Sequence, residues 1–152
     1  MLLITWRFVT LLFTALALGM AFAHLLEMPP KMQYPASLWV TLQLSLYRAF
    51  APAGAILETG SVIFAAVLAY LVRGRWPAFP LTLVGTACLA TAFVAWLMFT
   101  APANTQVNRW TPESPPADWR RWRDQWEYSH AGRAILFLLG FGTLLASVLS
   151  ES

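Results

Sequence analysis

A single cysteine, Cys88, and two histidines, His24 and His130, are spread through 152 residues, which excludes an intrachain disulfide and any cysteine-based metal centre. Charge is scarce too: Asp, Glu, Lys and Arg make up 11% of the chain, where a soluble domain carries roughly 25%. No polar stretch is long enough to form a separate soluble domain. The ten basic residues sit at the ends of apolar runs, so a net charge of +3 and a pI of about 9.5 point to anionic lipid headgroups and away from nucleic acid.

What the chain has instead is hydrophobicity, 59% by residue, gathered into four runs at about 8–26, 53–72, 81–101 and 131–149. Each is near the ~20 residues that a helix rising ~1.5 Å per residue needs to cross ~30 Å of hydrocarbon. The expected fold is all-α: one integral membrane four-helix domain over residues 1–152, multi-pass, most simply in the plasma membrane. Ala15, Gly19 and Ala23 form a small-xxx-small stripe suited to packing on another span. The adjoining Ala21-Phe22-Ala23 has the small-x-small form a signal peptidase accepts, and cleavage there would leave His24 as a copper-chelating terminus.

Pro29-Pro30 is expected to stop the first helix. The segment 31–50 is too short for a span and reads as a helix in the interface or an extension of the second span. Arg73-Gly74-Arg75-Trp76-Pro77 is a tight turn with interfacial anchors, and residues 111–116, TPESPP, are a break. After the break comes a Trp- and Arg-rich stretch that continues into the fourth span, so this helix should extend beyond the membrane. Trp119, Arg123, Trp126, His130 and Arg133 share one face of it.

With an even number of spans, the first and third connections lie on the same side of the membrane. His24, Glu27, Glu58, Asn104, Asn108, Glu127 and His130 all fall on or just under that side, which is what a polar pocket at one end of a bundle looks like. A Lys/Arg count, with Lys31, Arg48, Arg109, Arg120, Arg121, Arg123 and Arg133 against Arg7, Arg73 and Arg75, puts that side in the cytoplasm, while Arg7 ahead of the first span argues the reverse.

Two chemistries suit the pocket. His24-x-x-Glu27 and Glu127-x-x-His130 are i, i+3 pairs, and with Glu58 they suggest a transition metal, iron or copper, held by His24, Glu58, Glu127 and His130. Without a metal, the same end can bind and deprotonate a flat, weakly acidic molecule. Trp110, Trp119 and Trp126 would stack on it, Asn104, Asn108 and Arg133 would hold an oxyanion, and His130 would be the base.

Four short spans, Pro102-Ala103-Asn104 at the end of the third, and the spacing Trp119, Trp126, His130, Arg133 leading into the fourth resemble the anthrone oxygenase-like family of small membrane proteins. Some fungal and bacterial members of that family are associated with oxidation of anthrones to anthraquinones. The resemblance implies that Asn104, Trp126, His130 and Arg133 line a site for a small aromatic or lipophilic substrate. The competing reading is a non-enzymatic bundle that binds a lipid or quinone or assists a larger membrane complex, with the same tryptophans as lipid anchors; homo-oligomerisation is left open by both. Burial of Trp119 and Trp126 toward His24 and Glu58 would distinguish a pocket from an anchor.

Overall fold

The computed structural model describes residues 1–48 and 50–151. The elements are α1 (Leu2–Lys31), α2 (Ala36–Ser45) with a following 3-10 turn (Leu46–Arg48), α3 (Phe50–Leu71), α4 (Ala78–Ala95), a π turn (Trp96–Thr100), α5 (Ala101–Val107) and α6 (Trp119–Leu149). The π turn and α5 continue α4 without a break, so four helices are long and apolar enough to cross a membrane: Leu2–Lys31, Phe50–Leu71, Ala78–Val107 and Trp119–Leu149. No strand occurs among the described residues. The chain is an all-α, multi-pass membrane bundle, and α6 extends well beyond its apolar part as expected.

The helices outlast the apolar runs that announce them. Pro29 and Pro30 lie inside the last turn of α1 and do not end it, contrary to the expectation from sequence. Both are exposed at the wet end, so the Leu25 and Leu26 carbonyls that lose a partner are within reach of water, and the Met32 N–H resumes bonding to the Met28 carbonyl at 3.0 Å. That extra turn carries Lys31 inward. The segment between the first two spans does form its own helix, α2, whose Trp39, Val40 and Gln43 are buried.

Around the bundle, α1 packs on α3 and α6, and α4 packs on α3 and α6, which gives the ring α1, α3, α4, α6. Lipid tails are as apolar as leucine, so close packing and internal polar contacts, more than hydrophobic burial, hold such helices together. α4 and α6 approach closely where Gly85 and Gly140 face each other: a Cβ on Gly85 would stand 3.1 Å from the Gly140 carbonyl oxygen and 2.8 Å from Leu144 Cγ. One turn or so away, the Thr82 and Ser147 hydroxyls meet at 2.7 Å, and Ser147 also donates to the Ala78 carbonyl at 2.9 Å. On α1 the packing stripe is Thr14, Ala17, Ala21 and His24, all buried. Gly19 is exposed and a Cβ there meets nothing within 4 Å, so the expected stripe of Ala15, Gly19 and Ala23 is displaced by its neighbour on the wheel. At the end away from α2, Glu151 pairs with Arg7 of α1 and lies 3.5 Å from Arg75, tying three chain segments together.

Gly85→Val should therefore force α4 and α6 apart and cost about 1–3 kcal/mol, as overpacking does. Thermal unfolding in detergent reads this as a lowered midpoint, with Gly19→Val close to wild type.

Candidate functional site

At the α2 end the ring of helices encloses a cavity of about 510 Å³, lined by all six helices and by the 3-10 turn. Three of its polar side chains come from α6. Trp126, His130 and Arg133 lie three and four residues apart on one face of that helix and are 3%, 8% and 2% exposed, respectively.

Each of these side chains is positioned by a contact with another element or with the turn before it. His130 Nδ1 stands 2.9 Å from the Trp126 carbonyl oxygen. A carbonyl can only accept, so this contact places the proton on Nδ1 and leaves Nε2 with a free lone pair. The ring lies 4.0 Å from Trp126 and 4.5 Å from His24, centroid to centroid. The Trp126 indole donates to Asn104 Oδ1 at 2.8 Å, which turns the Asn104 amide nitrogen away from Trp126. Asn104 and Asn108 both line the cavity, because α5 carries the chain past Pro102. The π turn before it accommodates the proline, and α6 fastens that turn through Thr100 to Ser129 at 2.8 Å and Gln125 to the Phe99 carbonyl at 2.9 Å.

Arg133 spans the bundle interior. Its Nη2 pairs with Glu58 of α3 and its Nε donates to the Ala92 carbonyl of α4 at 3.2 Å. Glu127, 1% exposed, accepts the Trp39 indole N–H at 2.9 Å and lies 3.1 Å from Lys31 Nζ. Lys31 is 2% exposed, sits 3.6 Å from Glu27, and has its ammonium 4.5 Å from the Trp126 ring centroid. Tyr47 donates to Glu27, and its burial, with that hydrogen bond and the Glu27 charge, pushes its phenol well above the ordinary tyrosine range.

The residues expected from sequence thus separate into those that line the cavity, the two tryptophans of a cap, and Glu127, held by Trp39 and Lys31 outside the cavity wall. His24, Glu58, Asn104, Asn108, Trp126, His130 and Arg133 line one cavity. Trp110 and Trp119 do not: both are half-buried in an aromatic cap with Trp39, Tyr47 and Trp126. Trp119 is two turns before Trp126 on α6, level with the α1–α2 turn, and borders a separate groove with Met32, Gln33 and Arg123. Of the four proposed metal ligands, His24, Glu58 and His130 line the cavity and Glu127 does not. Among the described residues no group of three or more His, Cys, Asp or Glu is placed to hold a metal. Glu58 and Glu127 each direct an oxygen to a cation of the chain, Arg133 and Lys31, and a metal would compete for the same lone pairs. The residues present therefore do not fit the iron or copper ion that the spacing suggested.

Lys31, Tyr47 and Trp39 were not among the expected residues. Lys31 was detectable as the i+4 partner of Glu27, provided that the helix is allowed to continue through the two prolines.

Lys31→Met should cost about 3–5 kcal/mol, because it leaves Glu127 buried beside an apolar side chain. Combining it with Glu127→Leu should recover most of the loss in a detergent unfolding assay, the signature of a pair and not of two independent sites.

The sequence pattern of the anthrone oxygenase family matches residues 22–143, a segment that contains all seven of the cavity-lining residues expected from sequence. No curated protein and no solved structure matches the chain. With its four spans, its Pro102-Ala103-Asn104 turn and the Trp126, His130, Arg133 face inside the matched segment, the chain belongs to the anthrone oxygenase family.

Proposed function

We infer that this protein is a membrane-embedded oxygenase that converts a flat, weakly acidic aromatic of the anthrone class into the corresponding quinone, with His130 as the base. The observation that carries this reading is the His130 ring itself. Its Nδ1 is engaged by the Trp126 carbonyl, and its free Nε2 belongs to a side chain that lines an aromatic cavity. Family membership supports an oxygenase role in general terms; the substrate and the residue roles are the proposal.

The chemistry needs few groups. An anthrone carries a methylene opposite its carbonyl, and loss of one proton from it makes the whole ring system aromatic, with the charge on the former carbonyl oxygen. His130 takes that proton. Asn104, whose amide nitrogen is left free by the Trp126 hydrogen bond, donates to the oxyanion. Arg133 acts at a distance, as a fixed positive charge already paired with Glu58. The anion gives an electron to dioxygen, and recombination forms a carbon–oxygen bond at the former methylene. The resulting peroxide takes the proton back from His130 and loses water to give the second carbonyl. One anthrone and one dioxygen give one anthraquinone and one water, with no external reductant. Trp126 supplies a flat wall for stacking, 5.1 Å from His24 by ring centroids.

The test is dioxygen uptake and quinone formation by the purified protein in lipid nanodiscs with anthrone, corrected for spontaneous oxidation. Wild type should turn over with one dioxygen consumed per quinone. His130→Ala should lose about 10²–10⁴-fold in kcat, the usual contribution of a general base, and Asn104→Ala should lose a smaller factor. Full activity in His130→Ala overturns the role of His130, and a wild-type rate equal to the background overturns the enzyme.

A further inference from the structure

We propose that the cavity is loaded sideways, from the hydrocarbon of the leaflet next to α2, through a slit between α3 and the π turn with α5, and that its ligand is an uncharged, planar aromatic already dissolved in the bilayer. Identification of that aromatic as an anthrone rests on the function proposed above; the route does not.

The slit follows from how the third span is built. A short turn joins α3 to α4, and the two pack together. Beyond Ala95 the span departs from its neighbour: the π turn packs on α6, and α5 packs on α6 and α2. A π turn widens the helix locally and shifts its register, so the continuation leans toward α6. The α3 edge of the resulting gap is a stripe of small side chains four residues apart, Ala51, Ala55 and Thr59, all exposed and all on the cavity wall. Phe93 and Trp96 form the opposite edge, with their rings 6.3 Å apart and inclined by only 18°. A near-parallel aromatic pair and a row of small side chains thus belong to the same cavity wall, which suits the passage of a flat molecule.

Depth decides what lies outside. Thr59 is nine residues along α3 from Phe50, about 13 Å down the helix axis at ~1.5 Å per residue. Phe50–Leu71 is one of the membrane-crossing helices, so this part of the opening meets acyl chains and not water. The one ionisable side chain behind this deep part of the slit on α3, Glu58, is already paired with Arg133. A charged solute would have to shed its hydration in lipid to enter here, whereas a neutral aromatic is concentrated there by partitioning.

The test uses nitroxide spin labels at Ala55→Cys and, as a lipid-facing reference on the same helix, Ile56→Cys, each in the full-length protein with Cys88→Ser and reconstituted in nanodiscs. Thr59→Cys, deeper in the slit, serves as a second position if Ala55→Cys fails to fold. Collisions with dioxygen report lipid, and collisions with nickel ethylenediaminediacetate report water. The expected result is that the slit label, like the Ile56 label, collides with dioxygen in preference to the nickel complex, and that anthraquinone, added as a redox-stable planar probe, lowers the mobility of the slit label alone. A slit label that collides chiefly with the nickel complex, or that is indifferent to anthraquinone, overturns the route. Because the labels are read without turnover, an inactive protein that gives the expected spectra would overturn the oxygenase reading and leave the route standing.

Discussion

Arg133 reaching across the bundle to Glu58 is the contact on which the rest of the site depends. A guanidinium and a carboxylate inside a membrane helix are each costly alone, about 2.5–3.5 kcal/mol for a central charge on insertion scales, and neither can turn to lipid. Their pairing draws α6 and α3, which lie across the ring from each other, toward a shared interior. The Arg133 Nε bond to the Ala92 carbonyl adds α4 to the same point. Once this crossing is made, His130 and Trp126, one and two turns earlier on α6, have no direction open to them but the cavity and α1.

The upper end is closed by a second set of contacts with the same logic. Lys31 and Glu127 are both nearly inaccessible and 3.1 Å apart, and Trp39, Tyr47 and Trp126 cover them. A lone buried ion would be expelled or neutralised, so α2 can cover this end of the bundle only because Lys31 and Glu127 are buried together. The helix α2 thereby turns what would be an open bundle end into a roofed cavity. Under the oxygenase reading proposed above, such a roof would keep bulk water away from the deprotonated substrate.

The π turn adds the remaining element. Pro102 cannot donate to the helix ladder, and the chain accommodates it by widening one turn, with side chains of α6 bonded to that turn. The same adjustment presents Asn104 to the Trp126 indole and leans the end of the span away from α3. The placing of Asn104 against Trp126 and the divergence of the span's end from α3 thus have one structural origin.

The four spans, the extended last helix and the gathering of His24, Glu58, Asn104 and His130 at one end were all legible in the residues, because hydropathy, helical period and the even number of crossings dictate them locally. The anthrone oxygenase resemblance was legible from a few fixed spacings for the same reason. Other features were beyond local reasoning. Pro29-Pro30 as a stop hid Lys31, since whether a proline ends a helix depends on whether its orphaned carbonyls can find water. Which small-residue stripe of α1 packs, and that Trp110 and Trp119 lie only in the cap while Trp126 lies in both the cap and the cavity wall, depends on neighbours distant in sequence. The order of residues along the chain was enough to say which groups are polar and at what depth they lie. Which cation meets which carboxylate was settled only when helices far apart in sequence packed together. Those pairings, with no group of three or more His, Cys, Asp or Glu placed together among the described residues, count against the metal reading.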